Sequence, residues 1–241
     1  MKRLLGPLMV GAMACGMSAL SARADSVLTF TGSGTGPDTD TVAATAVFTI
    51  SNGQVQLVLT NTTATTKSAG DLLTQISFSI AGGKSVTSES AASAADVINF
   101  PTKGSSSYND LGPQNLLTLV PAQWELVATN TLSWNGGGDP NYGILGPGPY
   151  SSANNSIEGN GPHNPFIAQS ASFTLVGGSI VSTDTINSVQ FYFGTGPDLA
   201  FTVSTGTPSA GTPVPLPLAF WSGGALLAGL GLFRTIRKVA H

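Results

Sequence analysis

Hydrophobic and polar residues alternate with a period of two along several stretches of the chain. The apolar positions of the two clearest stretches, 41–50 and 54–60, are Ala44, Ala46, Phe48, Ile50, Val55, Leu57 and Leu59. Such alternation is typical of strands that bury one face. Asn52 and Gly53 lie between the two stretches, and Asn-Gly is a strong signal for a tight turn. The pattern therefore predicts a β-hairpin over residues 41–60.

The same alternation recurs further along the chain. It is clearest at Ile76, Phe78 and Ile80, at Phe173 and Leu175, and at Val189, Phe191 and Phe193. Weaker strands are expected within 27–31, 116–120, 124–134 and 199–204, which gives about nine or ten strands. Away from the two ends no stretch has a convincing helical period, although 91–97 has room for one or two helical turns. The predicted fold class is therefore all-β, an antiparallel β-sandwich of jelly-roll type.

The composition supports many short strands joined by turns. Charged residues make up only 9% of the 241 residues, and the chain contains 30 Gly and 15 Pro. All four arginines lie near the two ends, whereas residues 25–211 contain three lysines and twelve acidic residues, a formal charge of 3 − 12 = −9. Nucleic-acid binding requires basic patches that replace the counterions of phosphates. This distribution excludes that class of function.

The first 24 residues have the order of a secretory signal peptide. An apolar stretch at 4–20 is too short and too interrupted for a spanning anchor. The basic start and the Ala-x-Ala cleavage motif are formed by Lys2, Arg3, Ala22 and Ala24. Cleavage after Ala24 predicts Asp25 as the mature N-terminus.

The single cysteine, Cys15, lies inside this predicted signal. The mature chain would therefore contain no thiol, which excludes disulfides and cysteine-type zinc sites. An alternative is a lipoprotein that is lipidated on Cys15. Ala12 occupies the position where a lipoprotein signal usually has leucine.

The other end of the chain has a comparable order of segments. A Ser/Thr/Gly/Pro linker at 206–213 leads to Pro-Val-Pro-Leu-Pro, and then 16 residues without a charge follow at 218–233. The basic residues that close the chain are Arg234, Arg237 and Lys238. With 214–217 and snorkelling basic side chains included, the segment approaches the length needed to span a bilayer of about 30 Å. The basic end predicts a cytoplasmic tail and an external body.

This C-terminal region, 214–241, resembles the PEP-CTERM sorting signal that exosortase recognises. The resemblance rests on the proline motif Val214, Pro215, Leu216 and Pro217, on the apolar segment and on the basic end. It departs from the family at Leu216, where a glutamate is usual. The resemblance implies an exosortase-type sorting enzyme and signal peptidase as partners, a transient membrane helix, and release to the cell surface or matrix. The alternative is a permanent membrane anchor.

The body, residues 25–205, resembles exosortase-dependent surface proteins of unassigned activity. The matching pieces are short and lie at 44–50, 71–78, 124–126 and 189–195. The resemblance implies a β-sandwich on the cell surface or in the extracellular matrix. It brings no catalytic residues.

Few residues of the body suggest chemistry. His163 is the only histidine there and no Gly-x-Ser-x-Gly motif accompanies it, so an exposed loop histidine is the better interpretation than a catalytic one. A glycosidase needs two carboxylates at one cleft. No motif pairs Glu89, Glu125 and Glu158. The sequence therefore predicts no enzyme activity.

Two binding hypotheses remain. Asp38 and Asp40 offer closely spaced oxygen ligands for calcium, the only candidate cofactor, with a polar turn as the alternative. A second hypothesis is a sugar-stacking platform beside the long Gly/Pro/Asn-rich segment 135–165, which is expected to be functional or disordered. Its aromatic residues are Trp124, Trp134, Tyr142 and Tyr150, for which burial in the core is the alternative.

The expected function is that of a non-catalytic structural or adhesive protein at the cell surface or in the matrix. A carbohydrate-binding module or a secreted polysaccharide-acting enzyme is the alternative. Matrix polysaccharide is therefore a candidate partner. Few charges and many small hydroxyl residues allow contact with neutral polymers at a low desolvation cost.

Overall fold

The structure, a computed structural model, describes residues 26–36, 38–103, 107–119, 124–134, 141–196 and 199–203. Strands dominate these residues, and their helical elements are four 3-10 turns of three residues each. The all-β fold class is therefore confirmed. Within the described residues, no helix has the length and apolarity needed to cross a membrane.

The described residues form thirteen strands, more than the sequence predicts. They are β1 Ser26–Thr35, β2 Thr41–Ser51, β3 Gln54–Asn61, β4 Leu73–Ile80, β5 Ser88–Asn99, β6 Asn109–Asn115, β7 Trp124–Ala128, β8 Thr131–Trp134, β9 Ile144–Leu145, β10 Phe166–Ala168, β11 Ser170–Val176, β12 Ile186–Phe193 and β13 Leu199–Val203. The 3-10 turns are Ala69–Asp71, Ala81–Gly83, Leu116–Thr118 and Gly161–His163.

The predicted hairpin is confirmed as β2 and β3. Ser51 pairs with Gln54 across the turn. Gly53 adopts a φ of 79°, a left-handed conformation that glycine adopts without steric cost. Along β2, buried and half-buried residues alternate as the sequence pattern requires.

All thirteen strands are joined by hydrogen bonds into one sheet. The path runs β1-β2-β3-β11-β5-β10-β9-β4-β12-β13, with β6 paired to β5, and with β8 joining β7 to β4. The sheet is mixed, because β9 and β10 are parallel while the other pairs are antiparallel. The last strand, β13, also lies beside β1. The two ends of the path therefore approach each other around the core.

The main core fills the interior of this curved sheet. Phe48 on β2 is fully buried between Phe30 on β1 and Phe78 on β4, with ring centroids 5.7 and 5.1 Å away. Trp124 and Phe173 form a second such contact at 5.4 Å. The Phe48–Phe78 and Trp124–Phe173 contacts join strands that are distant in the hydrogen-bonded path, so the sheet folds over on itself.

A second, smaller core lies beneath the segment that follows β8. Phe100, Tyr150 and Phe166 meet there, with Phe100 5.6 Å from Tyr150 and 6.0 Å from Phe166. The described part of the long segment, 141–165, is thus packed against the body through its own apolar residues. The predicted helical turns at 91–97 are wrong, because these residues lie within β5. Alanine and serine dominate β5, and they gave the sequence pattern little alternation to detect.

Candidate functional site

The predicted targeting residues lie outside the described residues. They are Ala22, Ala24, Val214, Pro215, Leu216, Pro217, Arg234, Arg237 and Lys238. The segments 1–24, 206–213 and 214–241 lie outside as well. The signal peptide, the linker and the sorting signal therefore stay predictions.

The four aromatic residues of the predicted sugar platform do not form an exposed surface. Trp124, Trp134 and Tyr150 are buried, and Tyr142 packs partly buried against the main core. The indole of Trp124 donates to the Tyr142 carbonyl at 2.8 Å, and that of Trp134 donates to the Asn141 side chain at 3.2 Å. Their alternative role as core residues is therefore the correct one.

Asp38 and Asp40 lie in the loop between β1 and β2, where each has its own protein partner. The Ser68 hydroxyl donates to the Asp38 carboxylate, and the Lys67 ammonium group binds Asp40 at 2.7 Å. Among the residues that the structure describes, no group of three or more histidine, cysteine or acidic side chains is placed to hold a metal ion. Calcium at Asp38 and Asp40 stays a prediction without support from this geometry.

A third carboxylate, Asp71, organises the turn that contains Lys67 and Ser68, the partners of Asp40 and Asp38. It is fully buried, and its Oδ2 accepts hydrogen bonds from the backbone of Lys67 at 2.7 Å and of Ser68 at 3.1 Å. Burial raises the pKa of Asp71, the two backbone hydrogen bonds lower it, and the charges of Asp40 and Asp38 raise it further. Asp71 therefore has a capping role in the turn that begins at Ser68.

His163 and Glu158 are held within the segment that covers the smaller core. The His163 Nδ1 atom contacts the Ser156 carbonyl and lies 3.0 Å from the amide nitrogen of Asn160. Glu158 is buried, at 4% exposure. No serine hydroxyl is bonded to the His163 ring in the described chain, so this residue has the surroundings of a structural histidine.

The fold brings Glu89 and Glu125 together, although they are 36 positions apart. Glu89 lies on β5 and Glu125 on the neighbouring β7. Burial, followed by the charge of Glu125, raises the pKa of Glu89 to about 7. The Glu89 Oε1 atom is buried without a hydrogen-bond partner. A carboxyl group in such a position is suited to exchange a proton near neutral pH.

A second pair of carboxyl groups lies where the β5–β6 pairing is irregular. Between the pairs Ala94–Gln114 and Val97–Gly112, strand β5 contains one residue more than strand β6. Between Val97–Gly112 and the next pair, Leu111 is an extra residue on β6. Gly112 has a φ of 70°, and its amide donates to Asp110 Oδ1 at 2.7 Å. Two adjacent β-bulges re-aim side chains away from the regular pleat. They bring Asp96 of β5 next to Asp110 of β6.

Asp110 affects the protonation of Asp96. The pKa of Asp96 is raised by burial first, then by hydrogen bonding to Asp110 and by the charge of Asp110. The Asp96 Oδ1 atom is buried and has no hydrogen-bond partner. Buried polar atoms of this kind are rare in native proteins, where water or a ligand usually supplies the missing donor.

An exposed aromatic ring lies next to this carboxyl pair. Tyr108 is 48% exposed, and its ring packs against Phe100 at 5.6 Å and Tyr150 at 5.8 Å, both in edge geometry. Tyr150 has its pKa raised to about 12, by burial and then by the proximity of Tyr108 and Asp96. Tyr108 therefore lies in the neighbourhood of Asp96, with the buried Tyr150 in contact with its ring.

A separate groove of about 630 Å³ lies further along the same two strands, and neither Tyr108 nor the two carboxyl groups line it. Its floor is formed by small residues of β5, and its wall by the end of β6 and the turn after it. Residues lining it include Ala91, Ser93, Ala95, Gln114, Asn115 and Leu117. Strands β5 and β6 therefore carry two candidate sites: the Asp96–Asp110 pair with Tyr108, and this groove.

Sequence reasoning missed both sites. Tyr108, Asp96 and Asp110 lie in no recognisable motif, and bulges leave no signature in the alternation of apolar residues. The one available signal was Asp110-Leu111-Gly112-Pro113, in which an acidic residue is followed by the turn-forming residues Gly and Pro. Neither a protein family, nor a curated protein, nor a solved structure matches this chain.

Proposed function

We propose that this protein is an exported cell-surface or extracellular-matrix protein with a non-catalytic structural or adhesive role. The observation that carries the proposal is the order of segments after β13: a Ser/Thr/Gly/Pro-rich stretch, a proline motif, an uncharged stretch of 16 residues and a basic end. Such a tail serves a membrane-sorting purpose. The PEP-CTERM resemblance adds the enzyme that acts on it, an exosortase-type partner.

The body is consistent with a passive extracellular role. It contains no cysteine, so its stability outside the cell rests on packing and hydrogen bonding alone. Phe48 on β2 packs against Phe78 on β4, because the sheet folds back on itself. This contact supports the more specific proposal of a two-layer β-sandwich of jelly-roll type. A body of this kind presents extended strand faces for contact with polymers or with other surface proteins.

The Asp96–Asp110 pair favours binding over hydrolysis. A glycosidase places the sugar between carboxyl groups about 5 to 9.5 Å apart. Here the two groups interact with each other directly, so no glycosidic bond fits between them.

Mass spectrometry of the protein from its native host tests the proposal. We expect an N-terminus at Asp25, removal of residues 1–24, and processing of the C-terminus at or near 214–217. Fractionation should place the processed form at the cell surface or in the matrix. A full-length C-terminus that ends at His241 would overturn the sorting proposal and leave a permanent anchor.

A polysaccharide-acting enzyme is the second candidate, and the Glu89–Glu125 pair is the observation that favours it. The raised pKa of Glu89 suits a general acid, and Glu125 is its charged neighbour. Neither residue lines the groove on β5–β6 or the two smaller cavities of the described surface. A reducing-sugar assay decides the matter: sugar release that Glu89→Gln and Glu125→Gln each abolish would replace the adhesive role.

A further inference from the structure

We propose that the outer face of the sheet formed by β1, β2, β3, β11 and β5 is an interface at which two copies of this protein pack face to face. The inference goes beyond the proposed function, because it assigns a contact of the protein with itself. We call this surface the outer sheet face, and its central row consists of Thr29, Val47, Val58, Ser172 and Ser93. Its continuity, its lack of charge, the arrangement of its side chains and its size carry the inference.

The outer sheet face is one continuous surface. In its central row Thr29 pairs with Val47, and Val47 pairs with Val58. The row continues from Val58 to Ser172 and from Ser172 to Ser93. Both neighbours of each of these residues along its own strand are buried. Because side chains alternate between the two sides of a strand, the whole row points away from the core.

No charged side chain lies on this face. Strands β1, β2, β3 and β11 contain no charged residue at all. On β5, Glu89 pairs with the buried Leu175 and so points to the inner side of the sheet, and Asp96 lies at the bulge beyond the face. Residues 25–211 have a formal charge of −9, so two copies repel each other where their acidic parts meet. Contact through the outer sheet face requires no charged group to lose its water.

Apolar side chains lie at the middle of the face, with hydroxyl and amide groups around them. Val58 is 41% exposed, and it pairs with the half-buried Val47. The rows on the two sides of this pair contain Thr45, Thr60 and Gln56. An apolar centre with a hydrogen-bonding rim is the usual anatomy of a protein–protein interface.

The size and shape of the face suit a pair of copies. Five strands are about 24 Å wide, and the shortest of them, β11 with seven residues, is about 23 Å long. The projected area is therefore on the order of 550 Å², and the accessible area is larger because side chains roughen the surface. A stable interface buries about 800 Å² on each partner. Two sheets of the same twist pack face to face about 10 Å apart, with their strands within about 30° of each other.

The other layer of the folded sheet offers a weaker interface. Its outward residues on β4 and β12 include Ser77, which pairs with Gln190, and Ser79, whose hydroxyl lies 2.8 Å from that of Ser188. This layer is also uncharged along β4 and β12, but no exposed large apolar side chain lies on either strand. An interface there would bury little apolar area to offset the entropy lost on association.

Sedimentation equilibrium of the full-length protein in a density-matched detergent tests the inference. We expect the dimer to predominate within the range of about 1 to 100 μM. Val58→Glu should weaken dimerisation about tenfold or more, because unpaired carboxylates are then buried in the interface. Val58→Lys should do the same. An equimolar mixture of the two variants should dimerise again, because opposite charges then face each other.

Val127→Glu is the matched control, because Val127 is 49% exposed but lies on β7, outside the outer sheet face. Gln190→Glu is the control for the other layer. Both should leave dimerisation within about twofold of wild type. Thermal melting shows whether each variant retains its fold, and Ser172→Glu, on the same central row, replaces any Val58 variant that does not.

A wild-type protein that stays monomeric over the whole concentration range would overturn the inference. A dimer that Val58→Glu leaves intact would do so too, since the contact would then belong to the C-terminal apolar segment or to another surface. A dimer that only Gln190→Glu dissociates would assign the contact to the other layer instead. None of these outcomes affects the mass and location of the mature protein, so the proposed function would stand or fall separately.

Discussion

The side-chain amide of Asn61 donates hydrogen bonds to two carbonyl groups that are far apart in sequence, at 2.9 Å to Asp71 and 2.7 Å to Ile144. Its own Oδ1 accepts from the backbone of Thr63 at 3.0 Å. Asn61 is fully buried at the end of β3. This one side chain therefore joins β3, the capped turn at 69–71 and the start of the segment that covers the smaller core.

Replacement of Asn61 should destabilise the protein strongly. Asn61→Ala leaves two buried carbonyl groups without donors, at a cost of about 2 to 4 kcal/mol in the free energy of unfolding. Asn61→Asp also removes the donors and adds a buried charge, so the loss should be larger. Chemical denaturation measures both, with Asn187→Ala on the exposed face of β12 as the control. A loss from Asn61→Ala no greater than that of the control would contradict the bridging role.

Phe48 tests the packing of the main core. Its truncation to alanine removes contacts with Phe30 and Phe78 at once and leaves a cavity, at an expected cost of about 3 to 5 kcal/mol. Val58→Ala is the control, because Val58 lies on β3, 41% exposed, on the outer side of the same hairpin. Similar unfolding midpoints for the two variants would mean that the sheet does not fold over as described.

Gly146 and Gly178 differ in the space that the structure leaves for a Cβ atom. A Cβ atom at Gly146 would lie 2.2 Å from the Thr63 carbonyl oxygen, whereas one at Gly178 would meet nothing within 4 Å. Gly146→Ala must displace the backbone and should lower the melting temperature by several degrees, through a loss of about 2 kcal/mol or more. Gly178→Ala should change it little. Equal melting temperatures would refute the close contact between residues 63 and 146.

Glu89 makes stability depend on pH. Glutamate has an ordinary pKa of 4.5, and burial beside Glu125 raises that of Glu89 to about 7 in the folded protein. Between these values the folded state retains a proton that the unfolded chain has lost, so stability falls as the pH rises. The loss between about pH 4.5 and pH 7 should be on the order of 1 to 2 kcal/mol, because solvent screens part of the effect at this half-buried group.

Denaturation curves of wild type and variants at several pH values measure this effect. Glu89→Gln should remove most of the loss, because the amide stays neutral throughout. Glu125→Gln should move the midpoint of the loss to lower pH, since the charge of Glu125 is the second cause of the raised pKa. A wild-type protein that gains stability between pH 5 and pH 7 would contradict the buried position of Glu89.

The sequence predicts the regular parts of this fold and misses the irregular ones. Alternation identified the β2–β3 hairpin because large apolar residues such as Phe48 and Leu57 occupy every second position. Strand β5 was missed, since alanine and serine bury or expose little apolar area and so leave a weak signal. For Trp124 and Trp134 the sequence left two alternatives open, an exposed sugar-stacking platform and burial in the core, and the second is correct.

The candidate site was the least predictable part. Asp96 and Asp110 become neighbours only because two bulges shift the register of β5 against β6, and register depends on tertiary packing rather than on local pattern. Tyr108 is a lone aromatic in a polar loop, and nothing in its neighbours indicates contact with Phe100 and Tyr150.

The irregularity of strand β6 affects whether copies of the protein pair strand to strand at high local concentration. It pairs with β5 alone, and its sequence combines a carboxylate at Asp110, the left-handed Gly112 and the donor-free Pro113. An edge of this kind is a poor template for a strand from another molecule, because its hydrogen-bonding groups are interrupted and twisted. Copies of the protein at high concentration are therefore kept from growing fibrils along this edge, and each retains its own fold.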